Sequence, residues 1–228
     1  MSYTEPGFRP QGEEYWKNRQ LNDKKKDWKD LSGNWVDGYT KSVDHPHRDQ
    51  ILDMLHSSGV NSVLEVGCNS GPNLIRISKQ LPGLEIAGID LNSAAIECAR
   101  NNLPWSGNLK VGSVLDIPFP DKSFDAVLCD AVLMYISPSQ IEKAMSELQR
   151  VSKYVLLLIE WHDTESNLGV IKDFHWARNY LQLMLKLGYT NVTAHKLTEK
   201  EWPSKNWIRN GWLYAGLAPR LKISEINS

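Results

Sequence analysis

Short apolar runs alternate with amphipathic segments through the middle of this 228-residue chain, and this alternation constrains the fold more than any other feature. The run "VLLLI" at 155–159 is apolar throughout, as a parallel strand buried on both faces must be. Between such runs, apolar residues recur three and four positions apart, which is the spacing of one helix face. The alternation predicts an α/β fold with a doubly wound, mostly parallel sheet.

Turn and capping signals give bounds for these elements. A polar segment at 1–43, rich in aromatic residues, is predicted to be a lid on a domain at 44–228. One helix is expected to open at Ser137 and Pro138, and another to run from about Val170 to Gly188. The other predicted strands and helices lie at 62–66, 72–80, 85–90, 93–102, 109–112, 124–130, 154–160, 190–196 and 211–217.

Composition excludes several classes of function. Lys and Arg number 26 against 27 Asp and Glu, a balance that argues against a dedicated nucleic-acid or membrane-surface protein. The longest apolar run is too short to span a bilayer, and the N-terminus has no secretory pattern. The three cysteines lack metal-ligand spacing. We therefore expect a cytoplasmic protein, monomeric or homodimeric, with a small-molecule substrate and no nucleic-acid or membrane partner.

A glycine-containing turn follows the first predicted strand, in the stretch "VLEVGCNSGPNL" at 63–74. Gly67 and Gly71 remove side chains where a ligand would approach the backbone, and the next helix directs free N–H groups towards it. In doubly wound sheets, ligands bind beyond the carboxyl ends of the strands. The spacing is not the G-x-G-x-x-G of a dinucleotide site, and no P-loop lysine follows.

Three acids indicate which ligand this turn binds. Glu65 precedes the turn, where a carboxylate would repel a pyrophosphate but suits an ammonium group. Asp90 ends the next strand, where an acid can accept hydrogen bonds from ribose hydroxyls. Asp116 follows the third strand and can accept from an adenine amine. Ammonium, ribose and adenine together describe S-adenosylmethionine.

On the motifs "VLEVGCNSG", "GIDLN" and "GSVLDIPFPDKSFDAVLC", the chain resembles class I S-adenosylmethionine-dependent methyltransferases of the type 11 kind. The resemblance implies a Rossmann-like, seven-stranded sheet whose last strand is antiparallel. Asn69 stands where the family often has glycine, but asparagine tolerates positive φ. A weaker likeness, in "GCNSGPNL" and "RVSKYVLLLIEWH", is to methylases associated with pseudaminic acid biosynthesis. The cofactor-binding residues implied are Glu65, Gly67, Cys68, Asn69, Gly71, Asp90, Leu91, Val114, Leu115, Asp116 and Asp130.

The catalytic candidates lie at the ends of the fourth and fifth strands. Methyl transfer needs mainly alignment and desolvation, and a base only where the acceptor must lose a proton. His162 is placed to act as that base, with Glu160 and Tyr135 beside it. Asp130, Glu160 and Asp163 could instead hold a metal, but capping and hydrogen bonding explain them more simply. We expect no metal.

Substrate contacts are expected from the N-terminal aromatic residues and from the segment after the fifth strand. His45 and His47 are expected at the surface, with a lid contact left open. The substrate-binding candidates are Tyr15, Trp16, Tyr39, His175 and Arg178.

The sequence thus predicts a methyltransferase acting on an oxygen or nitrogen of a small polar metabolite, such as a sugar or a carboxylate. One alternative is a non-catalytic cofactor-binding subunit that activates a partner methyltransferase. The other is a nicotinamide-dependent oxidoreductase, which the acid before the turn disfavours.

Overall fold

A computed structural model describes residues 12–19, 35–103, 108–172 and 175–219. The helices are α1 (Glu13–Asn18), α2 (Trp35–Lys41), α3 (His47–Ser58), α4 (Pro72–Gln80), α5 (Ser93–Asn102), α6 (Ile141–Val151), α7 (Tyr180–Lys186) and α8 (Lys205–Asn210), with a 3-10 turn at Leu133–Tyr135. The strands are β1 (Ser62–Val66), β2 (Glu85–Asp90), β3 (Leu109–Val111), β4 (Phe124–Asp130), β5 (Ser152–Trp161), β6 (Val170–Lys172), β7 (His175–Ala177), β8 (Thr190–Lys196) and β9 (Gly211–Leu217).

Seven strands form one sheet in the order β3-β2-β1-β4-β5-β9-β8. The first five are parallel, and β9 runs antiparallel to both of its neighbours. The predicted fold class is therefore confirmed: the sheet is seven-stranded and mostly parallel, and its last strand is antiparallel. The strand order reverses between β1 and β4, so a crevice opens at their carboxyl ends.

Helices cover both faces of the sheet, as the apolar strands require. Side chains alternate between faces along a strand. On β5, Leu158 packs in the cluster that contains α6 and α7, whereas Trp161 packs in the cluster with α3, α4 and α5. This division decides which residues at the end of β5 can reach the crevice.

The helix expected from about Val170 to Gly188 is wrong over its first half. Strands β6 and β7 pair as an antiparallel hairpin there, and the helix begins only at Tyr180. Asn179 caps it by accepting a hydrogen bond from the Gln182 amide. Because an N-cap residue has non-helical backbone angles, the preceding residues cannot continue the same helix.

The N-terminal region contributes to the domain itself. Trp35 and Val36 of α2 are buried against Ala95 of α5. The backbone carbonyls of Trp16 and Arg19 accept hydrogen bonds from the Asn92 side chain. Of the segment expected at 1–43, residues 1–11 and 20–34 lie outside the described residues.

Each helix in the described part of the chain is too short or too polar to cross a bilayer.

Candidate active site

A cavity of about 760 Å³ lies beyond the carboxyl ends of β1 and β4. Its floor is the glycine turn after β1 together with the loop after β4. Its walls come from α1, α2, the start of α3, the β7 strand and the segment before α8. The expected site residues in its lining are Trp16, Tyr39, Glu65, Gly67, Cys68, Asn69, Asp90, Leu91, Val114, Asp130, Tyr135 and His175.

The glycine turn is held against the end of β2. The amides of Gly67 and Cys68 both donate to the Ile89 carbonyl at 2.8 Å. Gly67 has φ of +82° and Asn69 has φ of +51°, so the turn uses the tolerance expected of asparagine. A Cβ on Gly67 would lie 2.2 Å from the Val132 side chain. The turn and the β4 loop therefore approach each other too closely for any larger residue.

Gly71 serves the helix rather than the cavity lining. It has φ of +81° and is the N-cap residue of α4. An added Cβ would meet Leu103 at 3.3 Å and Ala99 at 3.5 Å, both in or next to α5. The backbone conformation and the helix packing at position 71 therefore both require glycine.

Asp90 connects the turn to the helix after β2. Its Oδ2 accepts from the Asn69 amide at 2.9 Å, and its Oδ1 accepts from the Asn92 amide at 2.8 Å. Burial raises its pKa to about 6, although both backbone hydrogen bonds oppose that rise. Asp90 lines the cavity, and each oxygen keeps one lone pair for a ligand.

Two carboxyl groups, Glu65 and Asp130, face the cavity from β1 and β4. Asn73, in the first turn of α4, donates to Glu65 Oε1 at 2.7 Å and to Asp130 Oδ2 at 2.9 Å. Within the described residues, the second oxygen of each carboxyl group is buried without a partner. Burial raises the pKa of Glu65 to about 8, so its carboxyl group is mostly protonated at neutral pH.

A histidine pair lies next to Asp130. His47 Nε2 is 2.9 Å from Asp130 Oδ2, and its Nδ1 is 2.5 Å from Nδ1 of His45. Arg48 is buried beside them and donates to Ser42, while its Nε and Nη1 have no partner among the described residues. This end of the cavity therefore carries hydrogen-bond acceptors and donors that a ligand could satisfy.

The opposite end is open and less polar. Gly112 and Val114 line it, whereas Leu115 is buried in the core. Asp116 is exposed in the turn after β3 and is not part of the lining. Glu13 of α1 accepts a hydrogen bond from Ser113 and lines the cavity at this end.

Aromatic rings form the wall between the two ends. Trp16 and Tyr135 meet edge to face with ring centres 5.1 Å apart. His175 lies 5.0 Å from the Tyr135 ring and 4.8 Å from the Trp161 ring. Tyr15 is 38% exposed and stays outside the lining.

Glu160 and Arg178 are buried supports behind the cavity. Glu160 accepts hydrogen bonds from the amides of Val132, Leu133 and Met134 at 2.7–3.1 Å, and burial raises its pKa to about 8. Arg178 has no exposed surface. It donates to the carbonyls of Leu133, Ile136 and Leu168. Both side chains fix the β4 loop that carries Tyr135, and neither lines the cavity.

His162 lies on the other face of β5 from Trp161. Its Nδ1 is 2.5 Å from the Tyr214 hydroxyl, and its ring packs against Trp212. The cavity lining does not include it. The alternation of side chains along β5 explains this, because Trp161 takes the cavity side.

The lining also contains polar and aromatic residues that the sequence did not predict as site residues. They include His45, His47, Arg48, Asn73, Trp202 and Trp207. Asn73 stands in the first turn after the glycine motif, a position that could have indicated it. The two tryptophans stack with ring centres 3.7 Å apart, and Trp202 also lies 4.1 Å from the His47 ring. Only the tertiary fold brings these groups together.

Comparison with known proteins indicates the family of the central part of the chain. Residues 63–154 match a family described as a methyltransferase domain. This part of the chain is similar to the class I S-adenosylmethionine-dependent methyltransferases. It is 33% identical over 145 residues to an uncharacterized protein of Haemophilus influenzae, covering 61% of this chain and 54% of that one. It is 26% identical over 113 residues to a demethylmenaquinone methyltransferase of Symbiobacterium thermophilum, covering 47% and 44%.

A solved structure shares the fold of this chain at 13% identity. It is a magnesium protoporphyrin IX methyltransferase of Synechocystis with S-adenosylmethionine bound, with a TM-score of 0.57 over 83% of this chain and 86% of that one. The chain spans about half the length of the curated relatives named here.

The residues of the cavity fit an S-adenosylmethionine molecule. Buried oxygens of Glu65 and Asp130 have no donor among the described residues, and the cofactor carries an ammonium group. Buried nitrogens of Arg48 have no acceptor in the same part of the chain, and the cofactor carries a carboxylate. Gly67 leaves room at the turn, and Asp90 offers lone pairs to hydroxyl groups.

Proposed function

We propose that this protein transfers a methyl group from S-adenosylmethionine to a small polar metabolite. One observation carries the proposal: a cavity beside the glycine turn holds two buried carboxyl oxygens and two guanidinium nitrogens that lack partners among the described residues. Buried polar groups without hydrogen bonds are costly, so they mark where a ligand completes the structure. The charges match an amino acid end.

We assign binding residues to each part of the cofactor. Glu65 and Asp130 would bind the ammonium group, and Arg48 the carboxylate. Asp90 would accept from the ribose hydroxyls, with Leu91 beside it. Val114 and Gly112 would contact adenine, with Asp116 at the open edge for its amine. The bound cofactor supplies an activated methyl group, because a sulfonium is a good leaving group.

The chain's own contribution is alignment and exclusion of water. Tyr135, His175, Trp161 and Trp16 present aromatic edges and faces at the middle of the cavity. Aromatic faces attract a cation, and apolar walls exclude water that would compete with the acceptor. We infer that α1, with Trp16, acts as the lid expected for the N-terminal segment, whereas the buried α2 belongs to the domain.

The cavity also bears on the two alternatives. A non-catalytic activator needs no acceptor space, yet the lining continues past the carboxyl groups to His45, Trp202 and Ser204. A nicotinamide cofactor would bring its pyrophosphate to the turn, where an acid such as Glu65 is unfavourable. Both observations favour the methyltransferase.

The test combines binding and transfer. Calorimetric titration with S-adenosylhomocysteine and with the oxidised nicotinamide dinucleotide decides the cofactor. Radiolabelled S-adenosylmethionine is then incubated with panels of sugars, phenols, carboxylic acids and amines, and labelled products are separated. The proposed function is contradicted if the protein binds the nicotinamide dinucleotide instead of S-adenosylhomocysteine. It is also contradicted if S-adenosylhomocysteine binds tightly but no compound in any panel is methylated.

A further inference from the structure

Asp130, His47 and His45 form a continuous hydrogen-bonded chain from the sheet to the cavity. Asp130 Oδ2 is 2.9 Å from His47 Nε2, and His47 Nδ1 is 2.5 Å from His45 Nδ1. His45 lines the cavity. Hydrogen bonds within the described residues engage only Nδ1 of His45, which leaves its Nε2 for a molecule in the cavity.

The charge of Asp130 determines which ring nitrogens carry protons. Burial alone would raise the pKa of Asp130, but His47, Asn73 and Arg48 together hold it below its usual value, so the group is a carboxylate that only accepts. Nε2 of His47 therefore carries a proton. In a neutral His47 ring, Nδ1 is then an acceptor, and Nδ1 of His45 must donate to it. The remaining nitrogen, His45 Nε2, has a free lone pair.

Packing holds both rings in this arrangement. His47 is 2% exposed, and the Trp202 ring covers it at 4.1 Å. The same Trp202 ring lies 4.9 Å from His45. Because Trp207 stacks on the far side of Trp202, neither imidazole can turn without displacing this aromatic group.

We propose that His45 is the general base of the reaction and that the acceptor group is therefore a hydroxyl, whose proton His45 removes while His47 and Asp130 stabilise the resulting charge. This inference rests on the proposed function and narrows its acceptor. A carboxylate acceptor has no proton to lose, and a neutral amine attacks through its own lone pair and loses a proton only afterwards. A hydroxyl is the acceptor whose attack needs a base with this hydrogen-bonded support. The assignment moves the base from His162, which lies on the other face of β5, to His45.

The step balances in atoms and charge. The O–H bond breaks and its proton binds Nε2 of His45, while the Nδ1 proton of His45 moves to Nδ1 of His47. The oxygen forms its bond to the methyl carbon as the methyl–sulfur bond breaks, and sulfur keeps that electron pair. The positive charge ends on His47, against the Asp130 carboxylate, where it is best stabilised.

The groups that face His45 explain why its lone pair is available. Burial, followed by the neighbouring His47 and Arg48, lowers the pKa of His45 to about 4 against the opposing charge of Asp130. The ring is neutral across the neutral pH range.

The first test reads the hydrogen-bonded chain without any acceptor. The full protein, labelled with ¹⁵N at histidine and saturated with S-adenosylhomocysteine, is studied by NMR at pH 7. We expect opposite tautomers, with the proton on Nδ1 of His45 and on Nε2 of His47. Signals are assigned with His45→Gln and His47→Gln. A His45 ring protonated on Nε2 alone, or charged at pH 7, overturns the proposal.

The second test measures catalysis with radiolabelled S-adenosylmethionine and panels of sugars and phenols. His45→Gln should lower kcat by about 100-fold or more, while its affinity for S-adenosylhomocysteine should stay within about twofold of the wild-type affinity. His47→Gln, a positioning variant, should lower kcat less and abolish the tautomer pattern of His45. The matched control is His56→Gln, an exposed histidine on α3, which should change neither.

The outcomes separate the two proposals. Failure of the wild type to bind S-adenosylhomocysteine contradicts the proposed function, and NMR of the unliganded protein then decides the hydrogen-bonded chain by itself. Binding with transfer to carboxylic acids or amines but to no hydroxyl compound overturns the hydroxyl assignment alone. If His45→Gln has the same kcat as the wild type, the assignment of His45 as the base is overturned. If His45→Gln fails to fold, as judged by thermal unfolding, His45→Asn replaces it.

Discussion

Binding of the cofactor should release a proton from Glu65. Burial raises the pKa of this carboxyl group to about 8, and its Oε2 has no partner among the described residues. At pH 7 such a group is about 0.9 protonated. An ammonium group within about 4–6 Å lowers a carboxyl pKa by roughly 1–3 units, so binding should release about 0.4–0.9 of a proton.

Linkage between proton release and binding fixes how the affinity depends on pH. Because the bound form holds fewer protons, affinity for S-adenosylhomocysteine should rise with pH, by about 2- to 8-fold between pH 6 and 7, and level off above pH 8. The assay is calorimetry at pH 7 in buffers of different ionisation enthalpy, where the slope of the observed enthalpy gives the protons released. Release below about 0.1 proton, or affinity that falls between pH 6 and 8, would refute the reasoning.

Two variants complete this experiment. Glu65→Gln keeps the shape but cannot ionise, so proton release should disappear and affinity should fall about 10- to 100-fold, as for the loss of a charged hydrogen bond. Asp125→Asn is the matched control. It alters a buried carboxylate at the opposite end of the same sheet, where Asp125 binds the Asn61 amide, and it should leave the release unchanged.

Three further outcomes are expected. Gly67→Ala places a Cβ 2.2 Å from Val132 at positive φ, so it should lower the free energy of unfolding by about 2 kcal/mol or more and abolish binding of S-adenosylhomocysteine. Gly59→Ala, with open space around it, should lower the free energy of unfolding by only about 1 kcal/mol. Equal losses in the two variants would contradict the close approach at Gly67. Asp90→Asn should weaken binding of S-adenosylhomocysteine about 10-fold or more in calorimetry, and an unchanged affinity would show that Asp90 does not bind the ribose. Deleting residues 1–19 should reduce turnover more than thermal stability, and a truncated protein that aggregates would instead make α1 part of the core.

The sequence predicted what depends on local patterns. The glycine turn, its positive-φ asparagine and the position of Asp90 follow from strand ends and capping signals within a few residues of each other. The parallel strands between 62 and 161, and the helices between them, were predicted because parallel strands buried on both faces are apolar throughout. The Rossmann-like sheet was therefore predictable.

The polar end of the cavity was not predictable, because its members meet only in the tertiary fold. His47 comes from α3 and contacts Asp130 across 83 positions of sequence. The helix error at 170–177 has a similar origin. The amphipathic spacing there is real, but β-branched Val170 and Ile171 favour a strand once a partner strand is present. The prediction of His162 failed to account for which face of β5 each side chain takes.

The placement of β9 has a consequence for how the chain is made. This strand is the last of the sheet to be synthesised, yet it lies inside the sheet, between β5 and β8. Until Gly211–Leu217 has emerged, β5 has an unpaired edge along "VLLLIEW", with no charge before Glu160. Such an edge is a template for pairing with another chain. A nascent or truncated polypeptide lacking β9 should therefore depend on chaperones, and expression of such fragments should yield aggregates.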